Sequence, residues 1–113
     1  MSLHKEVVRL HHMLDHARAA AEIVDGCTRD ELLSDKVKSW ALVHLFEIIG
    51  EAAAHISEGY RSKYPNIPWS QVIGLRNRLI HGYDAVDMDI LWELSTGDLP
   101  NLIEALESIP ELK

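Results

Sequence analysis

Apolar residues recur every three or four positions along almost the whole of this 113-residue chain, and no segment alternates apolar with polar as a half-buried strand does. That periodicity restricts the fold to helices packed on helices: an all-α, up-and-down bundle of five to six helices with short connections. The first helix is expected from Leu3 to Asp25, with Val7, Leu10, Leu14, Ala17, Ala21 and Val24 on one stripe and Gly26 ending it. Thr28 and Glu31 have the spacing of a capping box at the start of a short helix. A second long helix, Asp35 to Glu58, carries Ala41, Leu42, Leu45, Phe46, Ile48, Ile49, Ala52, Ala53 and Ile56 on an arc close to half its circumference, which implies burial on more than one side. Val43, Gly50 and Ala54 form a separate strip of small residues, suited to close approach by another helix of the chain or of a second copy. Tyr64 to Pro68 reads as a rigid connector, and Pro68 opens a further helix that reaches about His81. Asp87 then caps a helix through Leu94, Gly97 stops it, and Asp98 with Pro100 begins the last, which Pro110 ends.

The length fits a single domain, residues 1–113, small enough that an oligomer interface would carry part of its stability. No uncharged apolar run approaches the roughly 18 residues that cross a bilayer, and the N-terminus lacks the blocks of a signal peptide, so a soluble cytoplasmic protein with no membrane association is expected. The single cysteine, Cys27, excludes an intramolecular disulfide and any zinc site built mainly on thiolates. Acidic residues outnumber basic ones 18 to 11, a net charge of −7 that opposes non-specific coating of a polyanion. A local basic patch still permits an RNA enzyme, and Arg61, Lys63, Arg76 and Arg78 are its candidate members.

On the helix after Pro68, Trp69, Val72, Ile73, Leu75, Leu79, Ile80 and Tyr83 fall on one apolar arc, and Arg76 projects from its middle. A guanidinium among core-type neighbours must be paired or used, because an uncompensated buried charge is costly. Asn77 and His81, four residues apart, stack beside that arc, and Arg78 lies on the far side. Two readings stay open on spacing alone. One is structural: Arg76 in a salt bridge, Asn77 bonded to a carbonyl and His81 capping the helix C-terminus. The other is a site that clusters a cation, an amide and an imidazole.

The segment Ile73-Gly74-Leu75-Arg76-Asn77-Arg78-Leu79-Ile80-His81-Gly82-Tyr83 resembles the Arg-Asn-x-x-x-His-x-Tyr signature of the HepT-like ribonuclease toxins, a branch of the HEPN superfamily. Similar segments flank it: Glu47 to Ala53 on the long helix, Pro65 to Trp69 before the signature, and Val86-Asp87, Leu91 to Glu93 and Asp98 to Pro100 after it. The resemblance runs from about Ser34 to the C-terminus, and before that only the amphipathic helix is shared.

That resemblance implies a HEPN-like helical homodimer acting as an endoribonuclease that requires no metal and no cofactor. Arg76, Asn77 and His81 would be catalytic. Two copies of His81 facing one phosphate would supply base and acid, while Arg76 would clamp the non-bridging oxygens. It also implies a cognate minimal nucleotidyltransferase antitoxin that places AMP on Tyr83 and so blocks RNA. Gly82 departs from the larger polar residue of many relatives and loosens the expected position of Tyr83. The alternative is a non-catalytic chain that binds nucleotide or substrate for a nucleotidyltransferase.

Other constellations carry weaker expectations. His12 and His16 stand four apart on the first helix, a metal-compatible spacing with no third ligand evident, so two solvated histidines are expected. His44, Glu51 and His55 share a face of the long helix with Glu47 at its edge, which reads either as an exposed acidic face or as support for Arg76, with Glu51 its first candidate partner. Trp40, Trp69 and Trp92 read as core or interface anchors.

Overall fold

In the computed structural model, which describes residues 3–82 and 85–113, two long helices form a spine. The first, α1 (Leu3–Val24), lies antiparallel to α3 (Lys36–Ala54): Arg9 near the start of α1 donates to the His55 carbonyl at 2.7 Å, just past the end of α3. Between them α2 (Arg29–Ser34) begins with the expected capping box, in which Thr28 and Glu31 satisfy each other's backbone amides. Asp35 then caps α3 through the Lys38 amide. The remaining elements are α4 (Glu58–Arg61), α5 (Trp69–Ile73), α6 (Leu75–Leu79), α7 (Met88–Glu93), a π-helical turn (Leu94–Asp98), α8 (Leu99–Glu107) and a 3-10 turn (Pro110–Leu112). Among the described residues the fold is all-helical, with shorter and more numerous helices than the five to six expected, and its one β feature is an isolated bridge between Ile80 and Val86.

The core is continuous. Leu10, Met13, Leu14, Ala17 and Ala20 of α1 pack with Leu42, Phe46, Ile49 and Ala53 of α3, and Leu75, Leu79, Leu91, Leu99 and Leu106 close over them. Each fully buried leucine contributes about 1.5–3 kcal/mol of transfer free energy. The buried stripe of α1 is turned slightly from the expected one: Met13 and Ala20 go inside, while Val7, Ala21 and Val24 stay half-buried. Glu6 continues that stripe and is only 3% exposed, its Oε2 accepting the Ser57 amide at 3.1 Å.

Helix α3 stops at Ala54, four residues before the expected Glu58, because Ser57 serves instead as the N-cap of α4 and Ile56 turns into the core. The small-residue strip has an occupant within the chain. A methyl group on Gly50 would meet the Val72 carbonyl oxygen at 2.9 Å, so the backbone of α5 rests directly on α3 there.

Three other expectations need correction. The helix after Pro68 is not continuous to His81: it breaks at Gly74 and ends at Leu79, where Ile80 becomes extended and pairs with Val86. Gly97 does not stop a helix. Pro100 has no amide to donate and its ring crowds the preceding turn, and the chain passes from α7 to α8 through a wider turn in which the Leu99 amide reaches the Leu94 carbonyl. Of the tryptophans expected as core or interface anchors, Trp40 is not in the core, being 66% exposed, which leaves it the interface alternative, whereas Trp69 and Trp92 are half-buried against the core.

The C-terminal turn is clamped to α4 and the segment after it. The hydroxyls of Tyr60, at 2.8 Å, and Tyr64 both donate to Oε2 of Glu111. Burial, followed by the neighbouring carboxylate, pushes both tyrosines above the ordinary phenol range, and the two donated bonds, Tyr64 first, hold Glu111 below the ordinary carboxylate value.

Candidate active site

Residues are brought to the site by the break at Gly74. In α5 the buried residue is Val72, and in α6 Leu75 and Leu79 face the core one turn apart. The offset at Gly74 disrupts the single apolar arc predicted for an uninterrupted helix. Arg76, one residue past Leu75, therefore swings to the edge: its side chain is 65% exposed, which corrects the expectation of a cation on a buried face. Asn77 beside it is exposed as well.

These two side chains form one wall of an open groove of about 210 Å³. Ile73 lies beside them, and Glu47, Gly50, Glu51 and Ala54 of α3 form the facing wall. Nε of Arg76 lies 3.3 Å from Oε2 of Glu47. The partner is thus Glu47 and not Glu51, which lines the same groove but stands with Oε2 3.8 Å from Nδ1 of His55. A half-exposed ion pair of this kind adds little stability, so Arg76 is held by its partner without being consumed by the fold.

His81 lies past the end of α6. Its amide donates to the Ala85 carbonyl at 2.6 Å and the Asp87 amide donates to the Leu79 carbonyl at 2.7 Å, so backbone pairing, not a helical turn, places it. The expected stacking on Asn77 is therefore absent, as is the alternative role of helix C-cap. The chain reverses at Gly82 with φ +85°, a conformation that suits glycine, which gives the departure at this position a backbone reason. The imidazole is 62% exposed, with Nε2 3.6 Å from Oδ2 of Asp87. Tyr83, expected to carry the modification, lies outside the described residues.

Asp87 was legible as a helix cap, and it does accept the Ile90 amide at 3.0 Å. Its second oxygen beside His81 was not, because only the pairing of residues 79–81 with 85–87 brings them together. Glu47 stands at the edge of the polar stripe on α3, where the helical plot favours the more central Glu51. Arg78 points away from the groove to Asp98 at 3.7 Å, tying α6 to the π turn. The expected basic patch does not form: Arg61 caps the Ile56 carbonyl and Lys63 stands 4.7 Å over the Tyr60 ring. Nor do His12 and His16 combine with a third ligand; among the described residues no three His, Cys, Asp or Glu gather as a metal-binding group, and the His16 ring bonds the His12 carbonyl at 2.7 Å.

A surface guanidinium and carboxamide on a groove wall, followed in the chain by an imidazole paired with a carboxylate, make a small helical domain chemically suited to a phosphodiester. The chain belongs to the HepT-like ribonuclease family, of HEPN type, whose model, described as Ribonuclease HepT-like, matches residues 13–109. It is 34% identical over 100 residues to "Putative RNase MJ1380" of Methanocaldococcus jannaschii, covering 88% of this chain and 92% of that one. It is 33% identical over 100 residues to "Probable ribonuclease HepT" of Thermococcus cleftensis, covering 85% and 91%. "Putative RNase TTE0752" of Caldanaerobacter subterraneus is 33% identical over 100 residues, covering 88% and 89%. No solved structure matches. Among the described residues no helix is long and apolar enough to cross a membrane.

Proposed function

We propose that this chain is the toxin of a toxin–antitoxin pair: a metal-independent endoribonuclease that cuts RNA at a site shared by two copies and is silenced by adenylylation of Tyr83. The observation that carries the reading is the exposure of Arg76 and His81, the two charged-state groups of the signature, neither of which the core requires. Unprotonated His81 of one copy takes the proton of a ribose 2′-hydroxyl. The 2′-oxygen attacks phosphorus, the bond to the 5′-oxygen breaks, and a protonated His81 of the second copy or a water delivers the proton to that leaving oxygen. Arg76 releases Glu47 and pairs with the non-bridging oxygens as their charge grows, and Asn77 orients the phosphate. The products are a 2′,3′-cyclic phosphate and a 5′-hydroxyl.

A single copy holds one such imidazole, so an imidazole base and an imidazole acid together take two copies. Support for an interface comes from Val37 and Trp40, one turn apart on α3 and 81% and 66% exposed. Tyr83 is two residues from His81 in the sequence, so an adenylyl phosphate on its oxygen would add negative charge to the signature and repel RNA. The cognate nucleotidyltransferase would supply it from ATP, releasing pyrophosphate.

The test is cleavage of end-labelled RNA by chelator-treated protein, with the termini identified chemically. His81→Ala and Arg76→Ala are each expected to slow cleavage by about 100-fold or more. Wild-type rates from both variants would overturn the mechanism. Complete inactivity of protein shown by mass to be unmodified would favour a non-catalytic, nucleotide-binding partner of a nucleotidyltransferase.

A further inference from the structure

A second open groove, of about 540 Å³, runs between the first turns of α1 and the last turns of α3. Its floor is apolar, formed by Val8, Ile48 and Ala52. Lys5, Arg9 and the imidazoles of His4, His12 and His55 stand around that floor, and Glu51 is the one carboxylate among the lining residues. Glu6 lies beneath Arg9, 4.0 Å away, with one oxygen engaged by the Ser57 amide. Among the lining residues Lys5 and Arg9 outnumber the one carboxylate and stand with three imidazoles, a local excess of base over acid in a chain of net charge −7, with Arg9 also donating to the His55 carbonyl at 2.7 Å. Glu51 also lines the groove of Arg76 and Asn77, so the two grooves flank the same ridge of α3 and meet at that residue.

We propose that this groove holds the RNA strand to one side of the cut phosphate, with Lys5, Arg9 and His12 taking backbone phosphates and the Val8–Ile48–Ala52 floor taking the face of a base. The cut itself rests on the ribonuclease reading; the binding of the strand does not. Single-stranded nucleic acid is held in this way, by cations that track the backbone beside flat apolar surface, with little sequence preference.

The experiment measures anisotropy of a labelled 12-nucleotide 2′-O-methyl RNA, which lacks the attacking hydroxyl, over a series of salt concentrations. The double variant Lys5→Glu/His12→Glu changes two exposed positions of α1, and Lys36→Glu at the far end of α3 is the charge control. The double variant is expected to bind about tenfold or more weaker, with a salt slope shallower by roughly 0.7 for each phosphate it no longer neutralises. The control is expected within about twofold of wild type. Equal binding by wild type and double variant overturns the proposal, as does a wild type that does not bind the strand. Loss of self-association by the double variant in sedimentation also overturns it, assigning the groove to a second copy. If the wild type binds and the double variant does not, yet no RNA is ever cut, the groove stands and the ribonuclease reading falls.

Discussion

At Asp87 one carboxylate oxygen caps α7 through the Ile90 amide and the other faces Nε2 of His81. The two roles separate by substitution. Asparagine still caps a helix, so Asp87→Asn is expected to melt with wild-type protein while turnover falls about tenfold and KM stays put, the pattern of a positioning residue. Asp87→Ala removes the cap as well and is expected to cost a further ~1 kcal/mol in denaturant unfolding. Wild-type turnover in Asp87→Asn would leave Asp87 a cap and nothing more. Spacing alone left a structural reading of Arg76, Asn77 and His81 open, and only the resemblance singled them out. Their neighbours Glu47 and Asp87 depend on where α3 and the paired segment lie, which no local pattern encodes.

Among the elements, α5 and α3 meet without side chains between them. Gly50→Ala would force a methyl into the Val72 carbonyl oxygen, and because both sides of that contact are backbone, the helices must part. The expected cost is about 1–3 kcal/mol, read by urea unfolding, together with slower RNA cleavage since Gly50 also lines the groove beneath Arg76. An unchanged midpoint would show that α5 yields freely. The two long helices, the capping box and the small-residue strip were legible because each is written in local spacing. The break at Gly74 was not, since glycine is tolerated in a helix and a continuous helical plot had no reason to change phase there. That one discontinuity turned a supposedly buried Arg76 into an exposed one.

For the whole molecule, the clamp of Tyr60, Tyr64 and Glu111 sets a pH window. Glu111 is held below its ordinary value of 4.5, so its contribution is present above that pH and is lost as pH falls through its folded value. The tyrosines are raised above 10.0, so theirs is complete below that pH and is lost as pH rises through their folded values. Tyr60→Phe/Tyr64→Phe is expected to lower the urea midpoint at pH 7 and to flatten the decline in stability above about pH 10. A pH profile parallel to wild type would discount the clamp. The proposed association is open to the same kind of test: Trp40→Asp is expected to shift sedimentation from dimer to monomer and to lower cleavage at least tenfold, as the proposed shared site requires. A dimeric, fully active Trp40→Asp would place the interface elsewhere. The backbone bonds of His81 and Asp87 carry one last consequence, because they divide the signature between two supports. Arg76 rides on α6 against α3, whereas His81 travels with the segment anchored to α7. In the proposed mechanism, the gap between Arg76 and His81 would then respond to changes in the paired segments 79–81 and 85–87 while the contact of α6 with α3 stays as it is.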